Sequence, residues 1–327
     1  MNVVVIGSNS FSGSFFVNHA LSKGADVIGI SRSHEPDPVF QPYMKCGEGK
    51  YMFHMLDLNK DLPAIMDVIE ALRPKYIVNF AAQGMVAESW QNPEHWFRTN
   101  TVGHIMLHDR LRTCDFLHKY VHVSTPEVYG SCSGLVKEST NYAPSTPYAV
   151  SKAAADLSLM TFFKHYRFPV VFTRSANVYG AGQQLYRIVP RTILYFLTGK
   201  RLQLHGGGQS VRSFIHIKDV AEGTWLAATQ GLAGEIYHLS TKQTMSIREL
   251  VALIAARLGV DYGKLVEVVG ERPGKDAAYL LDTSKARKEL KWADTVSIEQ
   301  GIDETVKWVR KHLDLLKSLP GDYIHKA

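Results

Sequence analysis

The chain has 327 residues, 45% of them hydrophobic and 21% charged, enough for one large domain or a large one with a smaller companion. Its formal charge is +6, with a pI near 9.0. That balance suits anionic ligands, but the Lys and Arg are spread along the chain rather than run together, which argues against a nucleic-acid partner. No apolar run approaches membrane-spanning length, so no membrane partner is expected. The short apolar run at the start has no basic segment before it and reads as a first strand, not a signal peptide. Cys46, Cys114 and Cys132 share no metal or redox spacing and read as reduced thiols of a cytosolic protein.

In chain order, residues 2–6 are a continuous β-branched run, as a strand buried on both faces requires. Gly7-Ser8-Asn9-Ser10-Phe11-Ser12-Gly13 follows, then a helical pattern through Phe15, Phe16, Ala20 and Leu21. A second strand at 26–30 completes a βαβ unit. Further strands are read at 51–55, 76–80, 119–123 and 170–173, with helices over about 61–72 and 93–116. Repeated βα units of this length predict a doubly wound, Rossmann-type parallel sheet, with ligands outside the carboxyl ends of the strands. Beyond about residue 180 the pattern loosens into a smaller α/β lobe. Ser213 to Ile217 and Glu235 to Leu239 read as short strands. Ser246-Ile247-Arg248-Glu249 matches a capping box, and a last helix spans about 297–316. The expected division is a Rossmann domain at 1–176 carrying the catalytic residues and a substrate lobe at 177–327. Segments around 211–240 are expected to return to the first domain.

Gly7 and Gly13 bracket the first strand–helix turn, with Ser10 between them. Glycines here let the backbone approach a pyrophosphate seated on the helix N-terminus. At the end of the second strand an acidic residue would favour NAD. The chain instead reads Ile30-Ser31-Arg32-Ser33, and an arginine with two hydroxyls suits a 2′-phosphate. The expected cofactor is NADP or NAD, with NADP favoured.

Downstream, the fifth strand runs into Ser124-Thr125-Pro126-Glu127-Val128-Tyr129-Gly130, and a helix follows with Tyr148 and Lys152. Four residues apart, the phenol and the ammonium share one face of the helix. A nearby ammonium favours the phenolate, making Tyr148 a candidate for proton exchange at neutral pH. His205, His216 and His238 show no metal spacing and read as packing residues; no metal is expected.

With these motifs in this order, the chain resembles the extended short-chain dehydrogenase/reductase family, and within it the nucleotide-sugar 4,6-dehydratases. Ser124 to Gly130 resembles their Ser-Thr-Asp-Glu-Val-Tyr-Gly. The segments 174–180 and 212–220 match others that handle the sugar nucleotide. Glu271 to Asp276 with Asp282 to Lys285 is like the dTDP-glucose enzymes, whereas Ala81-Ala82-Gln83 and Ser89-Trp90 with Pro93 are closer to the GDP-mannose enzymes. The resemblance implies a catalytic set of Ser124, Thr125, Glu127, Tyr148 and Lys152. It implies a cofactor held by Gly7, Ser10, Phe11, Gly13, Ser31, Arg32, Asp57, Leu58, Ala81, Ala82 and Asn100, together with Tyr148 and Lys152. The substrate, a nucleotide-diphosphate sugar, would meet Gln83, Asn177, Arg212 and Arg272. A tightly bound, recycled cofactor and a homodimer built on the Tyr148 helix and the helix near 93–116 are also implied.

The chemistry implied is that of a lyase. Tyr148 removes the C4 hydroxyl proton as hydride leaves C4, Glu127 removes the proton at C5, the C6 hydroxyl departs as water, and hydride returns to C6. Pro126 departs from the dTDP-glucose pattern, whose aspartate at this position protonates the leaving hydroxyl. The alternatives are a 4-epimerase, a C4 dehydrogenase or a uronate decarboxylase on the same scaffold, and a non-catalytic cofactor sensor.

Overall fold

The computed structural model describes residues 1–45, 49–132, 134–270 and 280–326. Seven parallel strands form one sheet: β1 (Asn2–Ile6), β2 (Asp26–Ser31), β3 (Tyr51–Met55), β4 (Tyr76–Asn79), β5 (Lys119–Val123), β6 (Val170–Ser175) and β7 (Ile236–Leu239). Their spatial order is β7-β6-β5-β4-β1-β2-β3. β1 is an interior strand, with Val4 paired to Ile28 on one side and Ile77 on the other. Strand order reverses at β1 and β4, so a crevice opens beyond their carboxyl ends.

The period of two in β1 sends alternate side chains to opposite faces. Val3 and Val5 pack with Phe16, Val17 and Leu21 of α1 (Phe11–Ser22). Val4 and Ile6 pack with Ile65 and Ile69 of α2 (Leu62–Leu72). That second face also takes Leu107 and Leu111, and Leu159 of the long helix over Pro147–Tyr166. Both faces are covered, as the continuous apolar strands require.

The helical region read over 93–116 is three pieces. α3 (Pro93–Phe97) passes into a π-helical turn at Arg98–Gly103 and then α4 (His104–Leu111). Thr99, Asn100 and Thr101 account for the widened turn. Their side chains bond Asn59, the backbone of Gln83 and the backbone of Ser151 instead of staying within the helix. The helix over Pro147–Tyr166, here α5, opens with Thr146, whose hydroxyl accepts from the Ala149 amide, and with Pro147 in the first position.

The second part of the chain contains α6 (Ile188–Leu197), α8 (Ile247–Leu258) and α9 (Ile298–Lys311), while α7 (Ile217–Gln230) packs back on α1 and the sheet. The capping box at Ser246 and Glu249 is present, and a second stands at Ser297 and Gln300. Ile193, Leu250, Ile254, Ile302, Val306 and Val309 share one buried core. α9 stops at Lys311 and a short helix, Leu313–Ser318, continues the stripe to buried Leu316. Phe214–His216 pairs in parallel with Asn177–Tyr179, while β7 joins the main sheet beside β6. No helix among the described residues is long and apolar enough to cross a membrane.

Candidate active site

A cavity of 1340 Å³ lies over the carboxyl ends of β1, β2, β4 and β5, between the sheet and the second lobe. Its floor is the turn from Gly7 to Gly13. Ser10 caps α1, its hydroxyl accepting from the Gly13 amide at 3.0 Å and donating to the Gly7 carbonyl at 2.8 Å. Gly7 adopts φ +82°, and a Cβ there would lie 2.5 Å from the Ala81 nitrogen. At Gly13 a Cβ would lie 2.2 Å from the Gly7 carbonyl oxygen. The turn is therefore packed as tightly as backbone allows, with the α1 N-terminus opening into the cavity, an arrangement suited to a pyrophosphate.

Of the residues expected at the cofactor, Gly7, Ser10, Phe11, Ser31, Arg32, Asp57, Leu58, Ala81 and Ala82 line this cavity. Arg32 donates to the carbonyl of Lys326 at 3.1 Å. Asn100 is fully buried and works behind the wall. Its Oδ1 accepts from the Gln83 amide at 2.8 Å, and its Nδ2 donates to the Gln83 carbonyl and to Ser151 Oγ, each at 3.0 Å. Asn100 thus ties the loop after β4 to α5.

The catalytic candidates converge from two elements. Thr125 caps a short 3-10 turn at Pro126–Tyr129, which puts Pro126 in a first position where no amide donor is required. Gly130 closes the turn at φ +68°. Tyr148, Lys152 and Asp156 follow at intervals of four on α5. The Thr125 side chain lies beside the Tyr148 phenol and acts to lower its pKa. Ser124, by contrast, donates to Asp156 Oδ2 at 2.6 Å inside the protein. Ser124, Thr125, Glu127, Tyr148 and Lys152 all line the cavity.

The electrostatics differ from the expectation that Lys152 favours the phenolate. Burial pushes the Tyr148 phenol up, and the Glu127 carboxylate pushes it the same way, against the Thr125 side chain. The Lys152 ammonium is buried and donates to the Val123 carbonyl at 2.8 Å. Burial lowers its pKa to about 8, with Asp156 opposing the shift. Burial alone would raise the Asp156 carboxyl. Arg174, His122 and Ser124 outweigh that and hold it well below the usual carboxylate range.

Arg174 opens a segment expected to handle the sugar nucleotide, yet its side chain is fully buried. It pairs with Asp156 at 2.8 Å and bonds the hydroxyls of Tyr129 and Tyr142. His238, also expected to be a packing residue, is buried with Nε2 2.8 Å from the Tyr129 hydroxyl. Further along the wall, Asn177 and Arg212 line the cavity, Arg212 donating to the Val211 carbonyl at 2.8 Å. Gln83 lines the cavity too, but its Nε2 donates to the Lys326 carbonyl at 2.7 Å. Arg272 lies outside the described residues, as does Cys46. Sequence reasoning missed Arg187, Arg191 and Arg201, which also line the cavity, because none of them stands in a motif. It missed Asp156 as well, although the 148, 152, 156 spacing was legible. No group of three or more His, Cys, Asp or Glu is placed to hold a metal among the described residues.

A glycine-cradled turn at the switch point of a Rossmann sheet, with a Tyr-x-x-x-Lys helix beside it, defines an extended short-chain dehydrogenase/reductase. More narrowly, the chain belongs to the GDP-mannose 4,6-dehydratase family, whose profile matches residues 4–305. It is 30% identical to a dTDP-glucose 4,6-dehydratase of Haemophilus influenzae, over 94% of this chain and 97% of that one. It is 33% identical to a dTDP-glucose 4,6-dehydratase of Streptomyces antibioticus, over 95% and 92%. Among solved structures, DesIV, a dTDP-glucose 4,6-dehydratase of Streptomyces venezuelae with NAD bound, superposes with a TM-score of 0.89. It is 31% identical, with 96% of this chain and 98% of that one covered. A UDP-glucose 4-epimerase of Thermotoga maritima with UDP-glucose superposes at 0.87 with 26% identity, covering 96% and 100%.

Proposed function

We propose that this protein is a nucleotide-sugar 4,6-dehydratase that recycles a tightly held nicotinamide dinucleotide. The observation that carries the reading is the convergence of Thr125, Glu127, Tyr148 and Lys152 on one cavity with the Gly7–Gly13 turn. NAD is the better-supported dinucleotide, because solved relatives hold it and Arg32 donates to the Lys326 carbonyl. The cradle at Gly7 and Gly13 has no room for a Cβ, which fits a diphosphate pressed against backbone amides. A bound nicotinamide would supply a hydride acceptor for C4 and a hydride donor for C6.

Tyr148 takes the C4 hydroxyl proton, with Thr125 beside the phenol. Lys152, held by the Val123 carbonyl, would hold the nicotinamide ribose. Glu127, half-buried one turn from Thr125, takes the C5 proton made acidic by the 4-ketone. Pro126 has no acidic proton to give, so Glu127 delivers the proton it has taken to the departing C6 oxygen. One proton leaves C5 and joins the departing hydroxyl as water; hydride return to C6 then requires a proton at C5, which Glu127 delivers after taking one up from solvent. Asn177, Arg187 and Arg212 supply donors for the substrate's diphosphate. The relatives' names favour dTDP-glucose as the substrate.

Pro126 favours a second reading, a 4-epimerase, in which no water leaves. Incubation with dTDP-glucose, GDP-mannose and UDP-sugars in deuterated water, followed by mass spectrometry, separates the two. Loss of water with deuterium at C5 supports the dehydratase. Inversion at C4 with unchanged mass overturns it for the epimerase.

We further propose a homodimer through α3, α4 and α5. Phe97, Val102 and Met106 project from the first run, and Val150 and Leu157 from α5, all exposed, while α3 and α5 pack side by side. A second copy would cover this apolar face.

A further inference from the structure

The segment after the short helix Leu313–Ser318 leaves the second lobe and crosses the mouth of the cavity to the sheet domain. It is extended, and its exposure alternates. Gly321, Tyr323 and His325 are turned inward, while Asp322, Ile324 and Lys326 face solvent. Each end is tied to a different half of the molecule. On the lobe side, Arg191 donates to the Gly321 carbonyl and to Asp322, both at 2.7 Å, and the Tyr323 ring meets Tyr186 edge-on at 5.4 Å. On the sheet side, the His325 imidazole stacks on Trp96 at 5.1 Å with the planes 7° apart. It also bonds His95 nitrogen to nitrogen at 2.8 Å. The Lys326 carbonyl then accepts from Gln83 and Arg32 together, at 2.7 and 3.1 Å.

Gln83 follows β4 and Arg32 follows β2, the two strands that flank β1. A carbonyl bonded to both therefore bridges the crevice in which the dinucleotide is proposed to lie. The cavity beneath is not filled by the crossing. It keeps 1340 Å³ between this segment and the Gly7–Gly13 turn, with Tyr323 and Lys326 among its walls. Ligand cavities usually run to roughly 1,000 Å³ at most, so there is space for two ligands below a cover.

We propose that residues 319–326 are a strap that forms the outer wall of the dinucleotide site and sets the rate at which the dinucleotide leaves. This rests on the dehydratase reading, since an enzyme that recycles its cofactor has no need to exchange it at each turnover. The strap makes bound dinucleotide a resident group by closing its exit. Gln83 and Arg32 serve that closure by gripping the strap's backbone, and the His325–Trp96 stack holds it down. The sugar nucleotide enters from the lobe side, past the Arg191 anchor.

The test compares the full chain with one stopped after Leu319 and with His325→Ala, which removes one latch and leaves the chain intact. Each protein is loaded with NAD, and its release is followed by loss of bound nicotinamide absorbance after rapid dilution and by dinucleotide content after dialysis. Circular dichroism melting checks that each variant is folded. The expected result is dissociation accelerated roughly tenfold or more in the shortened chain and by a smaller factor in His325→Ala, as one lost anchor and several lost anchors would give. Equal release rates in all three overturn the strap and leave the dehydratase reading intact. Tighter NAD binding by the shortened chain overturns it in favour of a plug. A full-length protein that binds NAD yet acts on no sugar nucleotide overturns the dehydratase reading alone, and the release rates still decide the strap.

Discussion

Ser124 and Asp156 are joined by a hydrogen bond of 2.6 Å in which the serine donates inward. The adjacent hydroxyl, Thr125, is the one that acts on the Tyr148 phenol, lowering its pKa against burial. Both residues line the cavity, but the Ser124 hydroxyl is committed to the Asp156 carboxylate. The two hydroxyls should therefore separate by function. Thr125→Val should cut turnover by about 10²-fold, the usual scale for a lost donor beside developing charge, and Thr125→Ser should restore most of it. Ser124→Ala should instead lower stability by about 1–3 kcal/mol, the cost of taking a partner from a buried charged acceptor, with a smaller effect on kcat. Steady-state kinetics and thermal melts of the three variants check this. A larger loss of kcat in Ser124→Ala than in Thr125→Val would reverse the assignment.

Glu127→Gln keeps the side chain's size and removes its basicity. If Glu127 handles both the C5 proton and the leaving oxygen, the variant should lose about 10²-fold or more in turnover while still oxidising C4. Bound reduced nicotinamide, seen near 340 nm on addition of sugar nucleotide (about that wavelength in any reductase of this type), should accumulate without water loss. Persisting exchange of the C5 hydrogen with solvent deuterium would mean that another group is the base.

The sheet was legible because its strands are buried on both faces and must be continuous apolar runs, as residues 2–6 are. The Tyr148–Lys152 pair was legible because helical spacing alone puts both on one face. Local sequence does not carry what depends on partners far away in the chain. The π-helical turn at Arg98–Gly103 arises because Asn100 and Thr101 reach Gln83 and Ser151, which no window around 93–116 contains. The same holds for Arg174, whose neighbours in sequence suggest a ligand-facing segment. Its charge is neutralised by Asp156, on a helix packed from the other side. The strap was invisible for a related reason. Pro320-Gly321-Asp322 reads as a loop, and nothing in it announces contacts with Arg32, Gln83 and Trp96.

The exposed apolar side chains on α3 to α5 make the oligomeric state open to direct measurement. Met106→Glu together with Leu157→Glu places like charges on the face proposed to pair and should convert a dimer to a monomer, as seen by sedimentation velocity. Sedimentation of the double variant as a dimer would place the interface elsewhere. Because Met106 and Leu157 are about half exposed, at 52% and 47%, the monomer itself should lose little stability. The intact monomer should still bind NAD, since the cavity residues come from one chain.

Four histidines, His104, His108, His122 and His238, are fully buried, and their titration should govern stability on the acid side. Burial lowers His122 to about 4, helped by Lys152 and opposed by Asp156. Burial and then Arg174 lower His238 to about 3. His104 and His108 are shifted the same way, by burial and then by His122. In the unfolded chain each would take up its proton near 6.5, whereas the folded protein holds protons off until much lower pH. Between those limits the unfolded state binds more protons, so the free energy of unfolding rises with pH and falls on acidification. For His122 alone the separation corresponds to on the order of 3 kcal/mol lost by about pH 4. Lys152 acts in the alkaline range with the same sign. Its folded value of about 8 lies below the ordinary 10.5, so stability gains between those two values as pH rises. Melting temperatures measured from pH 8 down to 4 should therefore fall steeply below about 6.5. His122→Gln, which has no proton to take up, should show a shallower fall over the same range. An unchanged slope in that variant would mean that His122 is not among the groups that titrate on unfolding.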